Sequence, residues 1–136
     1  MNHSGRRDEE RERRNRAESE FTSHLSQITS FKDLSGEILV KDAENLAGSI
    51  RGDIKTAQLR RIYGEVKRME MDFRKDSFSR DRVVMLKPRL VYAASKKDEV
   101  TLIKNVFLKC IDKILTLEDF SRFVSFFEAI LAYHAR

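Results

Sequence analysis

The chain has 136 residues, 40% of them apolar and 36% charged, with one cysteine, five glycines, one proline and no tryptophan. Such a length argues for one domain around one core, and so few turn-forming residues speak against a sandwich or barrel. A single thiol excludes a disulfide framework and a cysteine-based zinc module. No run of about 18 apolar residues is available to span a membrane, and no apolar signal core follows the charged N-terminus. A soluble cytoplasmic protein is therefore expected, and its fold class is all-α: a compact bundle of about five helices with a charged N-terminal tail, disordered or weakly helical.

The net charge of +5 is uneven. Residues 1–20 hold six arginines and six acids, and residues 21–50 sum to −2. Residues 51–104 hold fifteen basic and eight acidic side chains, while residues 105–136 are neutral. A polyanionic partner would be met in the middle of the chain.

Residues 1–30 read as a flexible arm, because the stretch 6–20 alternates charge with almost nothing apolar to offset its ordering entropy. Pairs such as Glu9–Arg13 and Glu10–Arg14 support at most a transient helix there. Residues 31–136 read as one helical domain. Over residues 34–50, Leu34, Ile38, Leu39, Leu46, Ala47 and Ile50 recur at helical spacing, with Gly52 as a stop signal. Thr56 is placed to cap a second helix over 56–74, whose residues Leu59, Ile62, Tyr63, Val66, Met69 and Phe73 follow the i, i+3, i+4, i+7 pattern. A polar turn covers 76–80. A third helical stretch over 81–96 contains Pro88, which predicts a kink or restart.

The fourth helix, over 98–115, aligns Val100, Ile103, Val106, Phe107, Cys110, Ile111 and Ile114 on one stripe. Thr116-Leu-Glu-Asp119 then has the form of an N-cap with acids in the first helical turn. The last helix, over 117–135, buries Phe120, Phe123, Val124, Phe127 and Leu131. Phe126, Ile130 and Tyr133 widen its apolar arc, as in a central core helix or in one that partly faces another subunit.

Little points to catalysis. His3, His24 and His134 have no i,i+4 partner for a metal face, Cys110 sits in a core stripe, and no phosphate loop or nucleophile motif is present. No catalytic residue, metal or cofactor is expected. The informative feature is the second helix. On a wheel, Arg60, Arg61, Gly64, Lys67, Arg68 and Lys75 span roughly 120° opposite the apolar stripe, with Glu65 and Asp72 only at its margins. Cations of one sign on one face suit phosphate contacts that carry no sequence information. Lys87, Arg89 and Lys96 or Lys97 in the third stretch add to them. Tyr92 fits either the core, beside Leu90 and Val91, or a base-stacking position.

Three segments, Thr56-Ala-Gln-Leu-Arg-Arg-Ile-Tyr63, Leu86-Lys-Pro-Arg-Leu-Val-Tyr-Ala93 and Phe123-Val-Ser-Phe-Phe-Glu-Ala-Ile-Leu-Ala-Tyr-His134, together resemble the small subunit of the type III-A CRISPR–Cas (Csm) effector complex. The resemblance covers about residues 42–134. Where the family motif often has glycine and arginine after tyrosine-alanine, this chain has Ala94-Ser-Lys-Lys97. The resemblance implies a non-catalytic RNA-binding subunit, repeated in several copies along the guide RNA and its target RNA. Its partners would be further copies of itself and the backbone and large signalling subunits. Arg60, Arg61, Lys67, Arg68, Lys87, Arg89 and Lys96 are the expected RNA-binding residues. The alternatives are a helical DNA-binding regulator and a protein–protein scaffold without nucleic-acid contact.

Overall fold

The computed structural model describes residues 3–50, 56–93 and 98–135, with side chains for 5–50, 59–93 and 101–135. These residues are helical, with no strand among them. In chain order they form α1 (His3–Ser26), a 3-10 turn (Phe31–Asp33), α2 (Gly36–Ser49), α3 (Thr56–Lys75), α4 (Arg80–Val84), α5 (Leu86–Ala93), α6 (Asp98–Ile111) and α7 (Leu117–Ala135). The Gly52 stop, the Thr56 cap side chain and Val100 lie outside the described residues and side chains.

The last helix is central, as its wide apolar arc predicts. Helix α7 packs on α2, α3 and the 3-10 turn, and buries Phe120, Phe123, Phe126, Phe127 and Ile130. Aromatic rings from the other elements converge on it. Phe21 stacks on Phe126 at 4.9 Å between ring centroids, Phe107 lies 4.6 Å from Phe127, and Phe73 meets Phe120 edge-on at 5.3 Å. Such ring pairs add to the stabilisation from area burial alone. Cys110 is fully buried, and that burial pushes its thiol well above the ordinary value of 9.0, so it is a small core residue and no nucleophile.

The start of α7 is held by one carboxylate. Asp119 Oδ2 accepts from the backbone N–H groups of Leu115 (2.8 Å) and Thr116 (3.0 Å), while Thr116 Oγ1 accepts from the Asp119 N–H (3.2 Å). This is the reciprocal capping expected from Thr116-Leu-Glu-Asp119. Oδ1 reaches across to the 3-10 turn, accepting from Ser30 Oγ and from the Lys32 N–H at 2.8 Å. Burial pushes the Asp119 carboxyl up, but the hydrogen bonds from Ser30, Lys32, Leu115 and Thr116 outweigh it and hold the group below its ordinary 3.8.

Two regions differ from the sequence expectation. The segment read as an arm is a helix whose first half, through Arg16, is largely exposed, but Ala17, Phe21 and Leu25 are buried in the core. Polar clasps reinforce them: Lys109 Nζ donates to Glu18 (3.1 Å) and Thr22 (2.8 Å), and His24 Nδ1 meets Asp42 at 2.7 Å. Burial raises Asp42 above 3.8 despite the opposing histidine. Around Pro88 the expected restart occurs three residues earlier, at Met85, the C-cap that separates the end of α4 at Val84 from the start of α5 at Leu86. Pro88 thus occupies the first turn of α5, where its missing N–H costs nothing.

Candidate nucleic-acid interface

Helix α3 turns Leu59, Val66 and Phe73 into the core and leaves its opposite side to solvent. Arg60, Arg61, Lys67 and Arg68 are all on that exposed side, together with Lys75. Arg74 extends the arc to roughly 140°, the exposed Met71 lies inside it, and no acidic residue falls within it. Arg74 lies outside the set of cations that the sequence pattern defines. Its membership of the arc becomes visible once the inward direction of α3 is known from Leu59 and Phe73.

The counter-ions around this face are few. Glu70, 5% exposed at its margin, is shared by Lys67 and Arg74 at 3.5 Å each, so one carboxylate faces two cations. Among the described residues, Arg60, Arg61, Arg68 and Lys75 have no carboxylate partner. Gly64 lies in the middle of the arc, and a Cβ built there meets no heavy atom within 4 Å. Internal packing therefore does not require this glycine, and another molecule's backbone can come close over it. Gly64→Ala is expected to raise stability against unfolding by about 1 kcal/mol through helix propensity. A urea melt checks this, and a stability no higher than wild type would contradict it.

The third-stretch cations behave differently. Arg89 of α5 reaches back to Glu65 of α3, and Lys87 is bonded to Asp112 at 2.7 Å beyond the end of α6. Between α3 and the α4–α5 pair lies a cleft floored by Met69, Met85 and Leu86, and Arg68, Arg82 and Arg89 line it with Glu65, Asp72 and Asp81. Arg82 bonds Asp72 at 3.3 Å and sits over the Phe73 ring. The structure thus groups Arg60, Arg61, Lys67 and Arg68 on one face and sets Arg89 beside Arg68. Lys87 points towards α6, and Lys96 and Lys97 lie outside the described residues. Tyr92 is 85% exposed, which overturns the core alternative for it; Val91 beside it is exposed too, and Leu90 alone of the three is buried.

Among the described residues, no group of three or more His, Cys, Asp or Glu side chains could hold a metal ion, and no helix is long and apolar enough to cross a membrane. A protein-family model described as Csm2 Type III-A matches residues 33–136, from the end of the 3-10 turn through α7. No curated protein and no solved structure shows a significant match.

Proposed function

The chain belongs to the Csm2 Type III-A family, the small subunits of the type III-A Csm complex, and we propose that it serves there as a non-catalytic RNA-binding subunit. The acid-free arc of exposed cations on α3 carries this reading. Guide and target RNA are held by their phosphates, which suits a subunit that must accept any base sequence. Point contacts by Arg60, Arg61, Lys67 and Arg68 supply sequence-independent affinity through counterion release.

Arg89 and Lys87 join when RNA arrives, since their exposed ion pairs are worth only about 0–1 kcal/mol each and exchange readily for a phosphate. Lys96 belongs to the same set by sequence. Repetition along the RNA, together with the backbone and large signalling subunits, converts weak contacts into avidity. A DNA-reading role has less support, because the exposed cations of α3 form a broad face of one sign rather than a recognition helix whose first turn carries base-reading residues.

A salt titration of RNA binding by the full chain tests the reading. RNAs of unrelated sequence should bind within about twofold of one another. The four α3 contacts alone give a slope of about −3 in log affinity against log salt, steepening to about −5 when Lys87, Arg89 and Lys96 join. No binding at low salt, or selection of one duplex DNA sequence, would overturn it.

A further inference from the structure

A second group of cations lies at the α7 end of the molecule. Lys32 of the 3-10 turn, Arg74 of α3 and Arg122 of α7 line one shallow hollow with Ser121, Ser125 and Glu118. Three separate elements therefore bring positive charge to one place. Arg74 also belongs to the exposed arc of α3, so the hollow continues that face rather than standing apart from it.

Its parts are held in position before any ligand arrives. Arg122 donates twice to the Leu34 carbonyl, from Nε at 3.1 Å and Nη2 at 2.8 Å. The Lys32 backbone is pinned by Asp119 at 2.8 Å. Charge compensation is incomplete. Lys32 is 3.9 Å from Glu118, with both side chains exposed, and Arg74 shares Glu70 with Lys67. Arg122 has no carboxylate partner among the described residues. A half-buried guanidinium bonded only to a neutral carbonyl keeps donors and a full charge for an incoming anion.

We propose that this hollow is a phosphate subsite, with Arg122 as its anchor, for the RNA strand that leaves the α3 face. The idea rests on the RNA-binding reading and adds a direction to it: the strand runs from Arg60 and Arg61 towards Arg74 and ends against α7. Ser121 and Ser125 stand at the rim, where the Ser125 hydroxyl donates to the Ser121 carbonyl at 3.3 Å. An RNA phosphodiester is favoured over an acidic protein segment because the hollow is continuous with a cationic face several turns long.

Anisotropy titrations of single-stranded RNA with the full-length chain separate the outcomes. Ser125 is exposed, so Ser125→Glu adds a negative charge without disturbing the core. It should lower affinity about tenfold, with an unchanged melting temperature. Arg122→Gln should lower affinity as much and reduce the salt slope by about 0.7, the value of one single-strand phosphate contact, with a lower melting temperature because its two bonds to the Leu34 carbonyl are lost. Wild-type affinity in Ser125→Glu, alongside strong loss in Arg60→Glu/Arg68→Glu, would overturn the subsite and leave the α3 face standing. Wild-type affinity in both would overturn the RNA-binding reading as well. If RNA binding is intact in Ser125→Glu but its assembly into the complex fails, the hollow serves a protein neighbour, and the proposal is wrong.

Discussion

Asp119→Ala is expected to destabilise the protein by about 4 kcal/mol, among the largest effects of any single substitution. The carboxylate is fully buried and serves the N–H groups of Lys32, Leu115 and Thr116 and the hydroxyl of Ser30. Removing it orphans those donors at about 1–3 kcal/mol each, less where water can enter from the exposed Leu115–Thr116 side. It also removes a negative charge from the N-terminus of a 19-residue helix. Asp119→Asn retains one acceptor oxygen and should lose about half as much. A shift below about 1 kcal/mol in urea unfolding would mean that Asp119 does not hold α7 to the 3-10 turn.

The same residue sets an acid limb on stability. Because its carboxyl lies below the ordinary 3.8 in the folded protein, its contribution is complete at neutral pH. That contribution begins to fall as pH drops through 3.8 and is gone below the folded value. Asp42 acts in the opposite direction: its raised carboxyl takes up a proton in the folded state first, which partly offsets the loss. Asp119→Asn should therefore flatten the decline in stability below about pH 4.

The second large effect is on binding. The triple reversal Arg60→Glu/Arg61→Glu/Arg68→Glu is expected to lower RNA affinity at least about a hundredfold at low salt and to remove about 2 from the salt slope. All three side chains are exposed and none has a carboxylate partner among the described residues, so the melting temperature should hardly move. Loss of affinity with an intact fold is the signature of a surface whose charge acts on something outside the molecule. Equal affinity for wild type and variant would contradict the assignment of that face.

Much of this was legible in local patterns. The four-residue recurrence of apolar side chains marks α2, α3, α6 and α7, and the box from Thr116 to Asp119 marks where α7 starts. The phenylalanines of the last helix identify it as central. The same periodicity, read from its far side, exposes the cationic face of α3.

Other features depend on contacts distant in sequence. Ala17, Phe21 and Leu25 repeat at four-residue spacing, a signal that the preceding run of charges outweighs in any compositional reading. Their burial is secured by Phe126 and Lys109, which no local window contains. The partners of Lys87 and Arg89 are likewise 25 and 24 residues away, so their pairing cannot be read from the third stretch alone. Tyr92 misleads because two apolar neighbours precede it, while α5 is too short to bury more than Leu86 and Leu90. The hollow around Arg122 joins three elements and leaves no local trace.

The central claim is that RNA phosphates lie along α3. Photo-crosslinking of the assembled type III-A complex, loaded with photoreactive guide and target RNA and mapped by peptide mass spectrometry, addresses it most directly. Adducts within Thr56–Lys75 of the wild-type chain, lost in the triple reversal, are the predicted result. Adducts on other subunits of the same complex with none on α3 would contradict it.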